Sequence, residues 1–526
     1  MKWRFRLLFS LIVALQLSFN TAAIDPLVIK GSKFFNSKTK KQFFFKGVDY
    51  QPRSHDSRTN LDPLSEVDAC LRDAKILKEL NVNSIRVYET DYNLNHDKCM
   101  AALEEAGIYV ILDIATPLYS INRNTPFWDV SLYDNFKKKV DAFAKYPNVV
   151  AFLIGNEITN DRLTTPASAF VKASLRDIKT YIKANNYNVY VGYADNDDEE
   201  IRVSLINYFN CGDDPMSRAD FYGINTYRWC GPKTTYESSG YAEMSEPLKG
   251  YSIPVMITEY GCNTVRPRNF NEVSAVYGEN MIGIYSGGFV YEYSQEENDY
   301  GIVKITNGKA EKLPDFYELK KMYTIEPSSQ TTFDSYNPSL KVSECPQITE
   351  FWKVKSKILP PTPSIEYCNC MADTFKCSTS QPSQNGKSLS NSEKSLGKVV
   401  DYICGTVPCN DTSTDTLRGI YGPMSFCSPL QKANYIINKK FLAENEGSSA
   451  CSYNTINTSI NKDPKVKELS ICNKFSKQID LKPSLESTPP KNDPPKKKSN
   501  SHSTKPGTTL QLALICFVLM FIKYVF

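Results

Sequence analysis

Two glutamates of this chain each close a short apolar segment: Glu157 ends residues 149–157, and Glu259 ends residues 254–259. A pair of carboxyl groups about 5 Å apart can break a glycosidic bond with retention, because one protonates the leaving oxygen while the other attacks the anomeric carbon. Asn156 precedes Glu157, where its amide can bind the 2-hydroxyl of the sugar. The sequence therefore predicts a two-carboxylate site that acts on sugar chains, provided that the fold brings the glutamates together.

Histidines are too few for most other hydrolytic sites. The chain has three, His55, His96 and His502, and the last lies far outside the predicted catalytic region. A Ser-His-Asp hydrolase and a zinc site with paired Cys-x-x-Cys spacing are therefore disfavoured, and we expect no metal and no cofactor. The net charge is +4, and the dense basic run at 496–498 lies in a Pro/Ser-rich stretch, so no nucleic-acid partner is expected.

The two glutamates must be carried by strands that end at a common edge. Between about residue 25 and residue 330, eight β-rich segments alternate with helical patterns. Most of these segments are continuous apolar runs, which is typical of parallel strands covered on both faces. The predicted strands cover residues 42–50, 82–88, 108–115, 149–157, 189–194, 221–227, 254–260 and 288–293, and the predicted helices cover 67–80, 97–106, 132–145, 167–184 and 271–286.

Eight such units over about 300 residues predict an α/β fold, a (β/α)8 TIM barrel. Glu157 then closes the fourth strand and Glu259 the seventh. Because reacting groups of such barrels lie at the carboxyl ends of the strands, the two carboxylates are expected on opposite sides of one cleft. An open doubly wound sheet is the alternative, but no Gly-x-Gly-x-x-Gly follows the first strand.

Composition divides the chain into six parts. Residues 1–23 have the basic start, apolar centre and small residues of a secretory signal peptide. The following parts are the barrel at 24–330, a connector packed on it at 331–366, a Cys-rich module at 367–475, a disordered Pro/Ser/Lys-rich stalk at 476–505 and a hydrophobic tail at 506–526. The tail and the small residues before it predict a GPI-anchor signal with attachment at Asn500, and a tail that stays in the membrane is the alternative.

Cysteine usage fits the secretory route. One of the 15 cysteines, Cys516, lies in the predicted tail, which leaves 14 in the mature chain, an even number suited to disulfides. The sequons at Asn410 and Asn457 predict N-glycosylation of an exposed surface in the Cys-rich module. Eight cysteines belong to that module, and the sequence leaves their pairing open: Cys368, Cys370, Cys377, Cys404, Cys409, Cys427, Cys451 and Cys472.

Several short motifs, in order along the chain, carry a family resemblance. They are Phe-Lys-Gly-Val-Asp-Tyr-Gln at 45–51, Arg-Val-Tyr at 86–88, Gly-Asn-Glu at 155–157, Tyr-Gly-Ile-Asn-Thr-Tyr-Arg-Trp-Cys at 222–230 and Thr-Glu-Tyr-Gly-Cys at 258–262. With them the chain closely resembles the fungal Gas/Gel/Phr β-1,3-glucanosyltransferases of glycoside hydrolase family 72, including the X8-like Cys-rich module of the longer subgroup. One departure is Thr-Glu-Tyr-Gly where relatives often have Ser-Glu-Phe-Gly, which leaves the glutamate in register.

The resemblance implies a retaining 1,3-β-glucanosyltransferase. Such an enzyme cleaves β-1,3-glucan internally, with Glu157 as the proton donor and Glu259 as the nucleophile. It then passes the new reducing end to the non-reducing end of another chain and so elongates cell-wall glucan. Donor and acceptor glucan chains, and the plasma membrane through a GPI anchor, are its expected partners. We expect a monomer on the extracellular face of the membrane or in the wall.

The resemblance also assigns further residues. Those implied to bind glucan are Tyr88, Asn156, Asp197, Arg202 and Tyr291, with the loop Ala115, Thr116, Pro117, Leu118, Tyr119, Ser120, Ile121, Asn122 and Arg123. Tyr227 is implied to lie next to the nucleophile. The implied disulfides are Cys70–Cys99, Cys211–Cys345 and Cys230–Cys262.

Each of these assignments has an alternative. Tyr88, Tyr227 and Tyr291 are also consistent with core tyrosines whose hydroxyls are satisfied. Asp197 and Arg202 are also consistent with a solvated ion pair of little energetic weight.

Two other functions stay open for the same residues. The two glutamates would equally serve an endo-β-1,3-glucanase that uses water as the acceptor, and a silent glucan-binding wall protein is the non-catalytic alternative. Tyr119, Phe127 and Trp128 are candidates for aromatic contacts that would favour a sugar acceptor over water.

Overall fold

The computed structural model describes residues 24–53, 62–329, 331–380 and 391–475. The predicted signal peptide, stalk and tail, with Asn500, lie outside these residues, as does His55. The first described elements form an antiparallel sheet of β1 (Leu27–Lys30), β2 (Lys33–Asn36) and β3 (Gln42–Phe43).

Eight parallel strands then close into a barrel, which confirms the predicted fold class. They are β4 (Phe45–Asp49), β5 (Ser84–Val87), β6 (Tyr109–Asp113), β7 (Val149–Asn156), β8 (Tyr190–Asp195), β9 (Phe221–Asn225), β10 (Val255–Tyr260) and β11 (Tyr285–Val290). Helices follow them in turn at Val67–Glu79, Asp97–Glu105, Val130–Phe143, Ala167–Ala184, Arg202–Phe209, Tyr241–Ser245, Glu272–Val276 and Pro314–Met322. A hairpin of β12 (Val303–Thr306) and β13 (Lys309–Lys312) precedes the last helix.

The last predicted helix and the last predicted strand have different bounds in the structure. Residues 271–286 form an α-helix only over Glu272–Val276, and β11 starts three residues earlier than predicted, at Tyr285. Gly287 within β11 has a φ of 87°, and a Cβ atom there would lie 2.2 Å from the carbonyl oxygen of Phe45. Only glycine allows this close approach of two strands. Because glycine is unusual in strands, the sequence pattern places the boundary too late.

The barrel interior has an apolar end and a polar end. Phe34 of β2 closes the apolar end, with its ring centroid 5.0 Å from that of Phe45 at the start of β4. Since side chains alternate along a strand, Asp49 at the end of β4 faces the same interior as Phe45. The buried polar residues at the carboxyl ends of the strands include Asp49, Arg86, Asp113 and Glu259.

The connector packs against the barrel through a disulfide and a buried indole. Cys345 is bonded to Cys211, which follows the helix after β8. The ring of Trp352 is buried 5.0 Å from that of Tyr208. These contacts fix the connector to the outer helical layer.

The described residues of the Cys-rich module include three α-helices and two short strand pairs. The helices are Ile365–Ala372, Asn391–Cys404 and Pro429–Ala443, and the pairs are β14 (Cys377–Ser378) with β17 (Ser459–Ile460) and β15 (Thr414–Asp415) with β16 (Ile420–Tyr421). Its disulfides are Cys368–Cys427, Cys370–Cys472, Cys377–Cys451 and Cys404–Cys409. The amide of Val130 donates to the carbonyl oxygen of Phe426 at 3.0 Å, so the module contacts the barrel directly.

The described part of the chain contains no helix that could span a bilayer.

Candidate active site

Glu157 and Glu259 lie at the carboxyl ends of β7 and β10. In both strands the pairing register shifts near the end, between Leu153 and Asn156 in β7 and around Glu259 in β10. Such bulges redirect side chains next to active sites. Glu157 has a φ of 49°, a left-handed conformation that is rare for residues with a Cβ, and its amide donates to the carbonyl oxygen of Ala194 at 2.9 Å. The two irregular strand ends hold both glutamates at one edge of the barrel.

Glu259 accepts three hydrogen bonds from its neighbours. Arg86 Nη1 donates to Oε1 at 3.0 Å, and the Tyr88 hydroxyl donates to the same oxygen at 2.9 Å. The Tyr227 hydroxyl donates to Oε2 at 2.7 Å. Glu259 is 7% exposed, so these bonds are made in a largely water-free environment, where they orient the carboxylate and stabilise its charge.

The environment of Glu259 acts on its pKa in both directions. Burial raises the pKa of this carboxyl above its ordinary value, and the nearby charge of Glu157 raises it further. Arg86 and the hydrogen bonds from Tyr227 and Tyr88 lower the pKa but do not cancel the effect of burial. Glu259 therefore loses its charge at a higher pH than an exposed glutamate does.

Glu157 is held by a neutral amide. Asn225 Nδ2, at the end of β9, donates to Glu157 Oε1 at 2.8 Å and to Asn156 Oδ1 at 3.0 Å. The hydroxyl of Thr258, beside Glu259, donates in turn to Asn225 Oδ1 at 2.7 Å. Asn225 thus connects the two glutamate-bearing strand ends. Asn225 was not among the predicted site residues, although it lies near the end of a predicted strand.

Arg86 is the cation at the centre of the site. It is fully buried, and its Nε and Nη2 donate to the carboxylate of Asp113 at 3.0 and 2.9 Å while Nη1 contacts Glu259. Arg86 belongs to one of the family motifs but was not among the predicted site residues. A charged residue inside an apolar strand is itself a signal, because a buried charge needs partners. Among the described residues, no group of three His, Cys, Asp or Glu side chains could hold a metal ion.

Four tyrosines cluster beside the nucleophile candidate. The ring of Tyr291 lies 6.4 Å from Tyr88, 6.1 Å from Tyr227 and 5.2 Å from Tyr300, measured between centroids. All four residues are half-buried, and partly exposed aromatic faces are typical of ligand clefts. Tyr300 was missed because it lies in the loop after β11, where no strand or helix pattern marks it.

Asp197 and Arg202 form a buried ion pair, so the alternative of a solvated pair is wrong. Arg202 Nε lies 2.6 Å from Asp197 Oδ1, and both side chains are 5% exposed. Arg228, the residue after Tyr227, donates from Nε to Asp197 Oδ2 at 2.5 Å. The pair therefore supports the loop that carries Tyr227, and direct contact with glucan stays a prediction.

The loop at residues 115–123 borders the other glutamate. Arg123 Nη2 donates to the carbonyl oxygen of Glu157 at 2.9 Å. The acceptor hypothesis for Trp128 is wrong, because its ring is buried and its indole N–H donates to Asp177 at 2.8 Å. This indole belongs to the core rather than to the cleft.

Disulfides brace the strand ends. Cys230–Cys262 joins the loop after β9 to the third residue beyond Glu259. Cys70–Cys99 joins the first two helices of the barrel. These two bonds and Cys211–Cys345 are the pairs that the family resemblance implies, and the first restrains the rim of the site.

Both folded parts of the chain match known protein families. The glucanosyltransferase model matches residues 16–326, and the X8 domain model matches residues 387–458. The chain is 42% identical over 459 residues to a 1,3-beta-glucanosyltransferase of Arthroderma benhamiae, and the aligned region covers 82% of each chain. It is 39% identical over 461 residues to pH-responsive protein 1 of Candida albicans, which covers 85% of this chain and 82% of the relative.

A solved relative has the same fold. The structure of Saccharomyces cerevisiae Gas2p in complex with laminaripentaose matches with a TM-score of 0.76 at 40% identity, over 85% of this chain and 99% of that chain. The agreement covers the barrel and the module together. The chain therefore belongs to the glucanosyltransferase family, glycoside hydrolase family 72.

Proposed function

We propose that this glucanosyltransferase cleaves β-1,3-glucan internally and transfers the new reducing end to the non-reducing end of another β-1,3-glucan, with Glu259 as the nucleophile and Glu157 as the acid/base. The observation that carries the roles is the difference between the two environments. Glu259 contacts the guanidinium of Arg86, whereas Glu157 contacts the neutral amide of Asn225. A cation favours the ionised carboxylate that a nucleophile needs, and a neutral partner permits the proton that an acid donates.

In the first step, Glu157 protonates the glycosidic oxygen while Glu259 attacks the anomeric carbon and forms a glycosyl ester. Oε1 of Glu259 already accepts from Arg86 and Tyr88, and Oε2 accepts from Tyr227. Since each carboxylate oxygen has about two lone-pair sites, Oε2 keeps one free, and we expect Oε2 to form the bond to carbon.

In the second step, Glu157 is a carboxylate and takes the proton from a hydroxyl of the acceptor glucan. The acceptor oxygen attacks the anomeric carbon, breaks the ester and restores ionised Glu259. Two inversions at the same carbon give net retention. Gas2p has been solved with laminaritriose and laminaritetraose, which supports the binding of β-1,3-linked oligosaccharides by this chain. We expect them to lie along the tyrosine cluster.

The hydroxyl of Tyr227 gives a test of the nucleophile through pH. Its hydrogen bond lowers the pKa of Glu259, so Tyr227→Phe is expected to raise that pKa. The acid limb of the pH profile of kcat/KM then moves to higher pH. A hydrogen bond to a charged group contributes about 1.5–3 kcal/mol, which is enough to move the acid limb measurably toward higher pH. The measurement is kcat/KM for glucan transfer between pH 3 and 8.

Tyr291→Phe is the matched control for this shift. Its ring belongs to the same cluster, but its hydroxyl makes no hydrogen bond to Glu259 within the described residues. The control is expected to keep the wild-type acid limb. Equal shifts in both variants, or none in Tyr227→Phe, would argue against Glu259 as the group that sets this limb.

Transfer is distinguished from hydrolysis by the sizes of the products. With a reduced β-1,3-oligosaccharide as donor and acceptor, the enzyme is expected to release shorter fragments and, in equal number, products longer than the starting sugar. High-resolution size separation over the first few per cent of reaction measures both. Shortened products alone would show an endo-β-1,3-glucanase and overturn the proposal.

We place the enzyme outside the cell, as a monomer held at the plasma membrane by a GPI anchor near Asn500 or retained in the wall. The seven disulfides of the described residues support an oxidising compartment. Asn410 and Asn457 are exposed, as N-glycosylation requires.

A further inference from the structure

Asp49 is a buried carboxyl without a hydrogen-bond partner. It ends β4, pairs in register with Arg86 of β5, and is 0% exposed. Neither Oδ1 nor Oδ2 has a hydrogen-bond partner among the described residues. A buried polar group in this state costs stability, and an ionised one costs far more. Its position therefore needs an explanation.

The charges around Asp49 do not balance if every acid is ionised. Three carboxyls, those of Asp49, Asp113 and Glu259, share the barrel interior with the guanidinium of Arg86. Arg86 directs Nε and Nη2 to Asp113, and it divides Nη1 between Glu259 and the carbonyl oxygen of Thr258. None of its hydrogen bonds is directed to Asp49. The second cation nearby is Lys139, which is 1% exposed, interacts with the charge of Asp113 and donates to the backbone carbonyl oxygen of Asp113 at 3.1 Å. Two cations cannot compensate three buried anions, so one of the three acids must carry a proton.

We propose that Asp49 is a neutral carboxylic acid at the pH where the enzyme works. Because neutral Asp49 carries no charge, the positive charge of Arg86 then compensates Glu259 and Asp113 alone. Asp49 takes no share of the guanidinium charge that faces the nucleophile. The part that concerns the nucleophile rests on the proposed function, whereas the protonation of Asp49 does not.

Burial and most of the charges around Asp49 favour its neutral form. Burial raises the pKa of Asp49 well above its ordinary value; Arg86 opposes this effect, and the charges of Glu259, Asp113 and Glu292 add to it. Four tyrosines, which are neutral in this range, also interact with Asp49: Tyr88, Tyr227, Tyr291 and Tyr323.

The first experiment measures stability and does not depend on activity. A carboxyl whose pKa is raised on folding gives stability that is present below its unfolded pKa of about 3.9 and is lost as the pH rises toward the folded pKa. Asp49→Asn keeps the shape and the neutrality but cannot titrate. We therefore expect the Tm of Asp49→Asn relative to wild type to increase steadily from pH 4 to pH 7. A constant difference over this range would overturn the proposal, and Asp49→Ser repeats the test if asparagine impairs folding.

The second experiment compares two acids that face the same guanidinium. Asp49→Asn is expected to keep kcat for glucan transfer within about threefold of wild type and to leave the acid limb of kcat/KM in place, because it replaces one neutral group by another. Asp113→Asn removes a carboxylate hydrogen-bonded to Arg86 and is expected to lower both kcat and Tm at pH 7. If Asp49 were ionised, its replacement would lower the pKa of Glu259 and move the acid limb downward, and that result would overturn the proposal.

Infrared spectroscopy observes the proton directly. Asp195, Glu272 and Glu292 have pKa values raised to about 7 by burial and also contribute protonated carboxyls. The difference spectrum of wild type minus Asp49→Asn at pH 7 is therefore expected to contain the carbonyl stretch of one further protonated carboxyl. Carbonyl bands of equal intensity in both proteins would assign the proton to another acid and overturn the proposal. If the wild-type protein gave the expected stability and infrared results but showed no glucan transfer, the proposed function would be wrong and the protonation of Asp49 would stand.

Discussion

Glu259→Gln is expected to lower kcat for glucan transfer by about 10⁴-fold or more, because no glycosyl ester can form without the nucleophile. Glutamine keeps the size of the side chain and its contacts with Tyr88 and Tyr227, so the fold should be retained. The assay is product formation from a reduced β-1,3-oligosaccharide, with the Tm measured in parallel. Transfer at a rate near that of wild type would remove Glu259 from the mechanism.

Glu157→Gln is the matched variant that separates the two roles. On glucan it is expected to lower kcat by about 10²–10⁴-fold, the usual contribution of general acid catalysis. A β-1,3-linked disaccharide with a dinitrophenyl leaving group needs no protonation, so Glu157→Gln should still release a burst of dinitrophenolate. Glu259→Gln should release none. The opposite pattern would exchange the two roles.

Arg86→Met is expected to have the second largest effect, on stability and on activity together. It removes the guanidinium that bonds both Asp113 and Glu259, and breaking a buried ion pair typically costs about 3–5 kcal/mol of the free energy of unfolding. Without the opposing charge, the pKa of Glu259 rises further. The rise lowers the ionised fraction of Glu259, so the acid limb of kcat/KM is expected to move to higher pH and kcat/KM at acidic pH to fall. Urea denaturation and the pH profile of kcat/KM measure the two effects.

Arg176→Met is the control for the loss of stability alone. Arg176 donates from Nε to Asp177 at 2.8 Å and from Nη2 at 3.1 Å, and this pair lies on the helix after β7, in contact with neither glutamate. The variant is expected to be less stable than wild type but to keep the wild-type acid limb below its Tm. If Arg176→Met lost activity as Arg86→Met does, the loss would reflect the fold rather than the charge beside Glu259.

The strands and the two glutamates could be predicted because their signals are local. A parallel strand covered on both faces is a continuous apolar run, so all eight strands of the barrel were found, and an acid at the end of such a run stands out. The same criterion also marks Asp49, Asp113 and Asp195, which end β4, β6 and β8. Applied to every strand, it would have identified the acids around Arg86.

The rest of the site depends on contacts between distant segments. Asn225 links two strand ends through hydrogen bonds that no single segment reveals, and Tyr300 belongs to an irregular loop. The glycines of β11 hide the start of that strand because their close packing leaves no side-chain pattern. The pairing of cysteines in the Cys-rich module was equally out of reach, because it depends on the positions of their Cβ atoms in three dimensions.

The disulfides also define a path for mechanical load. Cys472 lies near the end of the described chain and is bonded to Cys370, near the start of the Cys-rich module. Tension applied to the chain beyond residue 475 therefore passes through this bond directly to the connector, and the hydrophobic core of the module carries little of it. Cys345–Cys211 then delivers the force to the barrel just after the helix that follows β8. A molecule tethered by this end and pulled by the glucan in its cleft would therefore transmit the load between tether and barrel through covalent bonds rather than through the packing of the module.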